Sequence, residues 1–148
     1  MITDYCDPLI VQEVSPRDGL QIEPTWVETT DKIALIDQLS LAGFSRIEAG
    51  SFVSPKAIPA LRDGEQVFQG IQRKAGVIYV ALIPNLKGAQ RAVESRADEL
   101  NLVMSASQTH NLANMRMRCE ASLAAFGDIV SFAADHPVRL NGSIATTF

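Results

Sequence analysis

The sequence predicts an α/β protein built on a parallel β-sheet. Apolar runs of strand length alternate with segments of helical period along the whole chain. The run VIYVALIP (residues 77–84) is apolar on both faces, which is typical of a strand covered by helices on both sides. The composition, with 47% hydrophobic and 20% charged residues, is that of a globular protein. A βαβ order requires parallel strands joined by right-handed crossovers.

The first strand and first helix follow from the apolar pattern between positions 9 and 43. Residues 9–14 form a short apolar run that predicts a strand. The segment TTDKIALIDQLSLAG predicts a helix with Thr29 or Thr30 as its amino-terminal cap and Gly43 at its end. Its expected buried stripe comprises Ile33, Leu35, Ile36 and Leu39.

The next strand and helix are predicted between positions 46 and 76. RIEAGSF (residues 46–52) indicates the second strand. Asp63 and Gln66 have the spacing of a capping box, which predicts that the second helix begins there. Its apolar face would comprise Val67, Phe68 and Ile71, and Gly76 would end it.

Three further strands are predicted, and two helices lie between them. Asn85 can cap a helix that begins LKGAQRAVES after the third strand, and ELNLVMSAS (residues 99–107) indicates the fourth strand. A longer helix is expected over residues 116–135, and the fifth strand begins at residue 138. Apolar residues at helical spacing in the longer helix are Leu123, Phe126, Ile129, Val130 and Ala133.

Two architectures fit this order of elements. One is an open doubly wound sheet, which about 150 residues can complete, and the other is a (β/α)₈ barrel, which typically needs about 250. The pattern alone favours the open sheet. Neither a linker nor a low-complexity segment divides the 148 residues, so one domain is expected.

Composition and charge argue against several functional classes. A net charge of −4, with 13 scattered Lys and Arg, disfavours nucleic-acid binding. The chain has no run near the ~20 apolar residues of a membrane span, and its first ten residues lack the basic and apolar regions of a signal peptide. A cytoplasmic location is therefore expected. Cys6 and Cys119 are too few for a disulfide framework, and Cys119 is expected to be a small buried residue.

Polar residues follow each predicted strand, where the strand ends. Because the carboxyl ends of parallel strands lie on one side of a sheet, these side chains should converge. The converging residues are Arg17, Asp18, Gln21, Glu48, Ser51, Asn85, Ser105, Ser107, Thr146 and Thr147. The predicted helix-to-strand junctions carry no comparable set, which makes this edge the candidate site.

The chemistry of this set admits a functional and a structural interpretation. Asp18 is an oxygen ligand suited to Mg²⁺ or Mn²⁺, and Arg17 is a planar cation suited to a developing oxyanion. Glu48 could pair with Arg17 and fix its direction. Against this, Asp-Gly is a common turn signal, and an Arg–Glu pair can be purely structural. His110 is expected on a solvated loop and His136 at a helix carboxyl terminus.

Three segments carry a family resemblance. EVSPRDGLQ, DKIALIDQLSLAGFSRIEAGSFVSPK and PNLKGAQRAV resemble hydroxymethylglutaryl-CoA lyases, which are members of the DRE-TIM metallolyase superfamily. The resemblance runs from about Val11 to the end of the chain. It implies a (β/α)₈ TIM barrel, of which residues 1–148 would form about the first five strands and four helices, in place of the open sheet.

The resemblance also implies roles for individual residues. Arg17 and Glu48 would be catalytic and Asp18 a ligand of Mg²⁺ or Mn²⁺. The substrate-binding residues would be Arg17, Gln21, Ser51, Asn114, Thr146 and Thr147. The implied reaction cleaves 3-hydroxy-3-methylglutaryl-CoA to acetyl-CoA and acetoacetate, in leucine degradation and ketone-body metabolism. The partners would be the acyl-CoA substrate and a second copy of the chain in a homodimer.

Two departures from the family pattern qualify these expectations. Asn141 and Ser143 stand where the family carries an arginine and a tyrosine that meet the substrate carboxylate, so a related 3-hydroxyacyl-CoA is an alternative substrate. The family's HxH metal ligands, loop cysteine and last metal-binding asparagine have no counterparts in these 148 residues. Alone, the 148 residues are therefore expected to be inactive and to leave strands one and five as open edges. A condensing synthase of the same superfamily and a non-catalytic chain acting through assembly are the alternatives.

Overall fold

Five parallel strands form a single sheet in the computed structural model, which describes residues 9–147. The strands are β1 (Gln12–Glu13), β2 (Arg46–Ser51), β3 (Ile78–Ile83), β4 (Glu99–Ser105) and β5 (Arg139–Ala145). The helices are α1 (Thr29–Leu41), α2 (Gly64–Gly70), α3 (Leu86–Glu94), α4 (Gln108–Met115) and α5 (Cys119–Ala133). Cys6 lies outside the described residues.

The order of the strands distinguishes the two architectures. Each strand pairs in parallel with the next one in sequence, which gives the spatial order β1-β2-β3-β4-β5. A doubly wound sheet reverses its direction of growth at a switch point, whereas a (β/α)₈ barrel adds strands in sequence order. The open sheet favoured by the pattern alone is therefore wrong. The chain forms about five-eighths of a TIM-barrel fold, with β1 and β5 at the edges of the described sheet.

The hydrophobic core lies between the outer face of the sheet and the helices. Tyr79, Ala81 and Ile83 of β3 alternate with residues that face the other side, as the two-residue period of a strand requires. Their partners include Ile36 of α1 and Phe68 of α2, both fully buried. The ring of Phe68 lies 5.4 Å from that of Phe52, just after β2. This packing holds the carboxyl ends of the strands on one side of the molecule.

The first strand is shorter than its apolar pattern predicts. Only Gln12 and Glu13 pair with β2, whereas the prediction covered residues 9–14. Leu9 and Ile10 are exposed, at 91% and 61%. Apolar side chains alone do not make a strand where no pairing and no covering helix are present in the described residues.

The predicted starts of α2 at Asp63 and of α3 at Asn85 are confirmed in position, whereas the cap of α1 lies one residue before the predicted Thr29. The cap position of α1 is Glu28, without a side-chain cap, because Thr29 instead donates to Asp63 at 2.8 Å. Asp63 does precede α2 but caps nothing, since its carboxylate also accepts from Lys32 at 2.7 Å. Asn85 caps α3 as predicted and accepts from the backbone N–H of Gly88 at 3.0 Å.

Of the two predicted helix ends, one is confirmed and one is wrong. Gly43 follows the end of α1 with a φ of 101°, which confirms its predicted role. Gly76 does not end α2, because that helix stops at Gly70 and Gly76 lies in the turn before β3.

The segment after β4 holds an additional helix. Residues predicted as a loop form α4, so His110 lies on a helix and not on a loop, and α5 begins at Cys119 instead of residue 116. Cys119 is only half-buried, at the first position of α5, which corrects its prediction as a core residue. Leu123 and Val130, expected on the apolar stripe, are 58% and 52% exposed.

His136 lies in the turn after α5, as predicted, and its Nδ1 is 2.8 Å from the carbonyl oxygen of Phe132.

Within residues 9–147, no helix combines the length and the apolar character needed to span a membrane.

Candidate active site at the carboxyl ends of the strands

The SPRDG motif forms a single π-helical turn, Ser15–Gly19, directly after β1. The backbone N–H groups of Arg17 and Asp18 both donate to the carbonyl oxygen of Val14, at 3.1 and 2.7 Å. Pro16 is buried within the turn, where its fixed φ and missing donor are tolerated in the first positions of a helix. The turn therefore holds Arg17 and Asp18 in fixed positions at the strand end, which is more than the simple surface turn that Asp-Gly suggests.

The amino end of this turn is held by the side chain of Glu13. The carboxylate of Glu13 accepts a hydrogen bond from the backbone N–H of Ser15 at 2.7 Å. That bond favours the ionised carboxylate and holds the pKa of Glu13 below its ordinary value, against the opposing effect of partial burial. The ionised form of Glu13 therefore holds the amino end of the turn more strongly than the protonated form does.

Arg17 and Glu48 form the central ion pair of the site. Arg17 Nη2 lies 3.2 Å from Glu48 Oε2, and the Glu48 side chain is only 2% exposed. Arg17 Nη1 also contacts Asp18 Oδ1 at 2.6 Å, while Asp18 itself is 62% exposed. Arg17 Nε is buried without a hydrogen-bond partner among the described residues, which leaves one donor unsatisfied. Arg17, Asp18 and Glu48, predicted at the ends of two different strands, are therefore brought together.

A β-bulge explains how Glu48 and Ser51 serve the same face of β2. In a regular strand, residues three positions apart point to opposite faces. Here Glu48 pairs with Val80 and Gly50 with Ala81, so Ala49 is the additional residue. After this bulge Ser51 pairs with Leu82 and returns to the face occupied by Glu48. Ser51 is 3% exposed, and its hydroxyl accepts from the backbone N–H of Val53.

Asn101 extends the site across the interior of the barrel, and the sequence analysis did not identify it. Its Nδ2 donates to Glu48 Oε1 at 3.4 Å, and its Oδ1 accepts from Asn141 Nδ2 at 2.9 Å and from Ser143 Oγ at 3.2 Å. A line of polar contacts thus runs from Arg17 on one edge to β5 on the other. The signal was the alternation of polar Glu99 and Asn101 within ELNLVMS.

Several residues of the predicted converging set serve the local backbone. Asn85 and Ser107 are the amino-terminal caps of α3 and α4, and Ser107 accepts from the N–H of His110 at 3.3 Å. Ser105 is fully buried, and its hydroxyl lies 2.6 Å from His110 Nδ1. Thr146 accepts from the N–H of Ser107 at 3.2 Å. These contacts fix the edge of the barrel around β4 and β5.

Two predicted substrate-binding residues make no specific contact in the described structure. Asn114 is exposed on α4, and Thr147 is exposed after β5. Both lie on segments that follow the carboxyl end of a strand, so they border the same edge as Arg17. Their substrate-binding role stays a prediction.

Gln21, two residues after the SPRDG turn, lines a pocket. The pocket, of about 440 Å³, opens between the β1–α1 and β2–α2 loops, and its walls include Trp26, Ile58 and Arg62. Gln21 Oε1 is buried and has no hydrogen-bond partner among the described residues, so an acceptor is left unsatisfied there. Arg17 and Glu48 are not part of the pocket wall. Gln21 therefore connects this pocket with the SPRDG turn.

The two loops around this pocket are held together by buried charge. Lys32, 3% exposed, pairs with Asp63 at 2.7 Å and donates to the carbonyl oxygen of Ala60 at 2.7 Å. The Trp26 ring lies between Lys32 and Arg62, at 3.8 and 3.9 Å from the ring centroid. This arrangement fixes the chain that follows the SPRDG turn.

Among the described residues, Asp18 is suited to act as one ligand of a divalent cation. No cluster of three or more His, Cys, Asp or Glu able to hold a metal occurs within residues 9–147. Asp18 is an accessible carboxylate, and its Oδ2 makes no hydrogen bond or ion pair in the described part of the chain. Mg²⁺ is commonly held by one or two carboxylates together with water and substrate oxygens, so Asp18 suits such an ion as a partial ligand set.

The fold and the site define a TIM-barrel protein whose polar residues converge at the carboxyl ends of its strands. A family model described as HMGL-like matches residues 9–147, and the chain belongs to this family. The resemblance inferred from the three motifs is thereby confirmed.

Curated relatives and solved structures similar to this chain include hydroxymethylglutaryl-CoA lyases. The hydroxymethylglutaryl-CoA lyase of Bacillus subtilis is 44% identical over 144 residues, 97% of this chain and 48% of the relative. A 3-hydroxy-3-isohexenylglutaryl-CoA/hydroxymethylglutaryl-CoA lyase of Pseudomonas aeruginosa is 44% identical over 90% of this chain and 44% of its own length. An HMG-CoA lyase of Acinetobacter baumannii, solved with coenzyme A and 3-methylmalate, is 68% identical with a TM-score of 0.93, and the match covers 99% of this chain and 48% of that one. The chain spans about half the length of the relatives it matches.

Proposed function

We propose that this chain carries the Arg17, Asp18 and Glu48 part of the active site of a divalent-metal-dependent acyl-CoA lyase. Its substrate is 3-hydroxy-3-methylglutaryl-CoA or a related 3-hydroxyacyl-CoA, and its products are acetyl-CoA and a keto acid. The observation that carries the proposal is the 3.2 Å pair of Arg17 with the buried carboxylate of Glu48 at the carboxyl edge of the barrel. Family membership over residues 9–147 and the names of the relatives support it.

The reaction breaks the bond between C2 and C3 of the acyl group. The tertiary hydroxyl on C3 loses its proton, C3 becomes the carbonyl carbon of the keto acid, and the electron pair of the broken bond forms the enolate of acetyl-CoA. C2 then takes up a proton. Negative charge therefore develops on the thioester oxygen, and stabilising that oxygen lowers the barrier most directly.

Arg17 is suited to bind this oxygen. Its guanidinium is permanently charged and presents its donors in a planar fork, and the Nε donor has no partner among the described residues. Glu48 holds one arm of the fork by a contact from a side chain that is almost fully buried. A cation fixed in advance stabilises a developing charge without having to reorganise during the reaction.

Asp18 would hold the divalent cation, Mg²⁺ or Mn²⁺. When bound, such a cation polarises the oxygen atoms of the substrate and makes the tertiary hydroxyl easier to deprotonate. Asp18 is accessible at 62% exposure and adjoins Arg17, so the cation and the guanidinium would act on the same substrate. The choice between the two metals stays part of the proposal, as do the cytoplasmic location and the homodimer.

The choice of acyl group is open between two kinds of substrate. The P. aeruginosa relative carries both 3-hydroxy-3-isohexenylglutaryl-CoA and hydroxymethylglutaryl-CoA in its name. Asn141 and Ser143 of β5 are neutral, and both donate to Asn101. Neither supplies a positive charge to a substrate carboxylate. This is compatible with a related 3-hydroxyacyl-CoA substrate whose acyl group is larger or less charged.

The test is an assay of the longest product that the reading frame of this chain encodes. Purified protein is incubated with 3-hydroxy-3-methylglutaryl-CoA and Mg²⁺ or Mn²⁺, and acetyl-CoA is measured. A parallel incubation with acetyl-CoA and 2-oxoacids tests the condensing-synthase alternative. We expect metal-dependent acetyl-CoA release and no condensation product. Condensation without cleavage would reject the lyase assignment.

A further inference from the structure

Asn101 occupies a position in the barrel interior that none of the assignments above explains. It lies on β4, two strands away from Glu48, and is 5% exposed. β3 lies between β2 and β4 and contributes Val80, the residue opposite Glu48. Asn101 is in register with Leu82, two residues further along β3, and reaches diagonally across β3 to Glu48, so the Arg17–Glu48 pair is connected to the far side of the described sheet.

The amide of Asn101 has a defined orientation. Its Oδ1 accepts two hydrogen bonds, from Asn141 Nδ2 and from the Ser143 hydroxyl. If the amide were turned over, its oxygen would face the Glu48 carboxylate, and that contact would be repulsive. Because the carboxylate can only accept, the Asn101 NH₂ group faces Glu48 Oε1, and its Oδ1 accepts from Asn141 and Ser143, both of which can donate.

We propose that Asn101 is a positioning residue of the lyase reaction proposed above. It holds the buried carboxylate of Glu48 in the orientation that directs Arg17, and Asn141 and Ser143 orient Asn101 in turn. In this arrangement Asn141 and Ser143 support the catalytic pair and do not bind the substrate carboxylate. The effect on catalysis that we infer rests on the proposed function. The effect on structure rests on the contact geometry alone.

The burial of Glu48 makes its two contacts important. One carboxylate oxygen faces Arg17 and the other faces Asn101, and no other donor reaches either oxygen among the described residues. A buried carboxylate oxygen without a donor keeps its full desolvation penalty. Without Asn101, the Glu48 side chain would turn to find another donor, and Arg17 would follow it. Catalysis would decline even though Arg17, Glu48 and Asp18 were all still present.

The test is a double-mutant cycle between Asn101→Leu and Glu48→Gln in the longest product of the reading frame. Leucine is close to asparagine in shape and removes both the donor and the acceptor. We expect Asn101→Leu to lower kcat about 10-fold to 100-fold, the range found for residues that orient a functional ligand, and to change KM less. In the Glu48→Gln background the same substitution should have little further effect. Leu102→Val, on the opposite face of β4, is the control and should lower the melting temperature without changing kcat.

The same cycle is also measured by thermal unfolding, which requires no activity. The double variant should lose less melting temperature than the sum of the two single losses. Additive effects on both kcat and melting temperature would overturn the inference. If the parent protein did not cleave the substrate but the unfolding cycle showed coupling, the proposed function would fail and the contact network would stand. If Asn101→Leu did not fold, Asn141→Ala on β5 would replace it in the same cycle, with a smaller effect of the same sign expected.

Discussion

Arg17 and Glu48 lie 31 residues apart in the sequence, yet Nη2 of the arginine is 3.2 Å from Oε2 of the glutamate. Each side chain is held by a local irregularity of the backbone. Arg17 is on the π-helical turn that follows β1, and Glu48 immediately precedes the bulge in β2. Irregular backbone of this kind is common at active sites, because it directs side chains that a regular strand would point elsewhere.

Replacing Glu48 by Gln should lower activity more than it lowers stability. Glutamine keeps the volume of the buried side chain but removes the charge that fixes Arg17, so kcat should fall by about 10-fold or more. The matched control is Glu65→Gln, which disrupts the more exposed pair of Glu65 with Arg91 at 2.6 Å. That control should change stability by no more than about 1 kcal/mol and leave kcat unchanged. Equal kcat losses in both variants would mean that the Glu48 pair is merely structural.

Removing the carboxylate of Asp18 should weaken metal binding while the fold is retained. Asp18 is 62% exposed, so Asp18→Ala leaves no cavity in the core. Binding of Mn²⁺, followed by electron paramagnetic resonance, should weaken by at least about 10-fold. Asp31→Ala removes another exposed carboxylate, in the first turn of α1, and should leave Mn²⁺ affinity unchanged. Mn²⁺ affinity equal to that of the parent in Asp18→Ala would show that the metal is held elsewhere.

Gly64 is required by its close approach to the carbonyl group of Ser51. A Cβ added at Gly64 would lie 2.8 Å from the Ser51 carbonyl oxygen, so Gly64→Ala must displace backbone next to the site. We expect it to cost about 1–3 kcal/mol of unfolding free energy, the usual cost of overpacking. Gly127→Ala, in α5, meets nothing within 4 Å and should stabilise the protein by up to about 1 kcal/mol. Denaturant unfolding measures both, and a Gly64→Ala variant as stable as the parent would contradict the close approach.

The pH dependence of stability should include a contribution from Glu13. The Ser15 N–H bond lowers the pKa of Glu13 in the folded protein, so its contribution is present above the unfolded pKa and is lost as pH falls through the folded pKa. Glu13→Gln should therefore be less stable than the parent near neutral pH, and the difference should shrink between about pH 5 and pH 3. Urea unfolding at a series of pH values measures this. A difference that stayed constant over that range would exclude the ionisation of Glu13 as its cause.

The residues that could be predicted from the sequence are those determined by local pattern. The alternation of strands and helices, the cap at Asn85 and the position of Arg17 and Asp18 at a strand end all depend on residues close in sequence. The order of the strands in the sheet could not be predicted in this way, because an apolar strand pattern does not specify which neighbour each strand pairs with. Only the family resemblance predicted the barrel, and the sequential pairing of the strands confirms it.

The residues that were missed depend on contacts across the fold. Asp63 has capping-box spacing but is taken up by Lys32 and Thr29 of α1. Asn101 was interpreted only as part of the fourth strand, although the interior of this barrel is polar at Arg46, Glu48 and Glu99 as well. The helix α4 has no strong apolar stripe, and the side chain of its buried Asn111 bonds to Ser105 and Ser122. Such tertiary hydrogen bonds leave no period in the sequence.

The role of Arg17 in stabilising the enolate is tested by the effect of Arg17→Lys on the cleavage of 3-hydroxy-3-methylglutaryl-CoA in the presence of Mg²⁺ or Mn²⁺. Lysine keeps the positive charge but loses the planar fork that reaches Glu48 and the developing enolate oxygen together. If Arg17 stabilises that oxygen, kcat should fall by about 10²-fold or more, with a much smaller change in KM. A variant with a near-normal kcat and a raised KM would show that Arg17 only binds the substrate and does not stabilise the enolate oxygen.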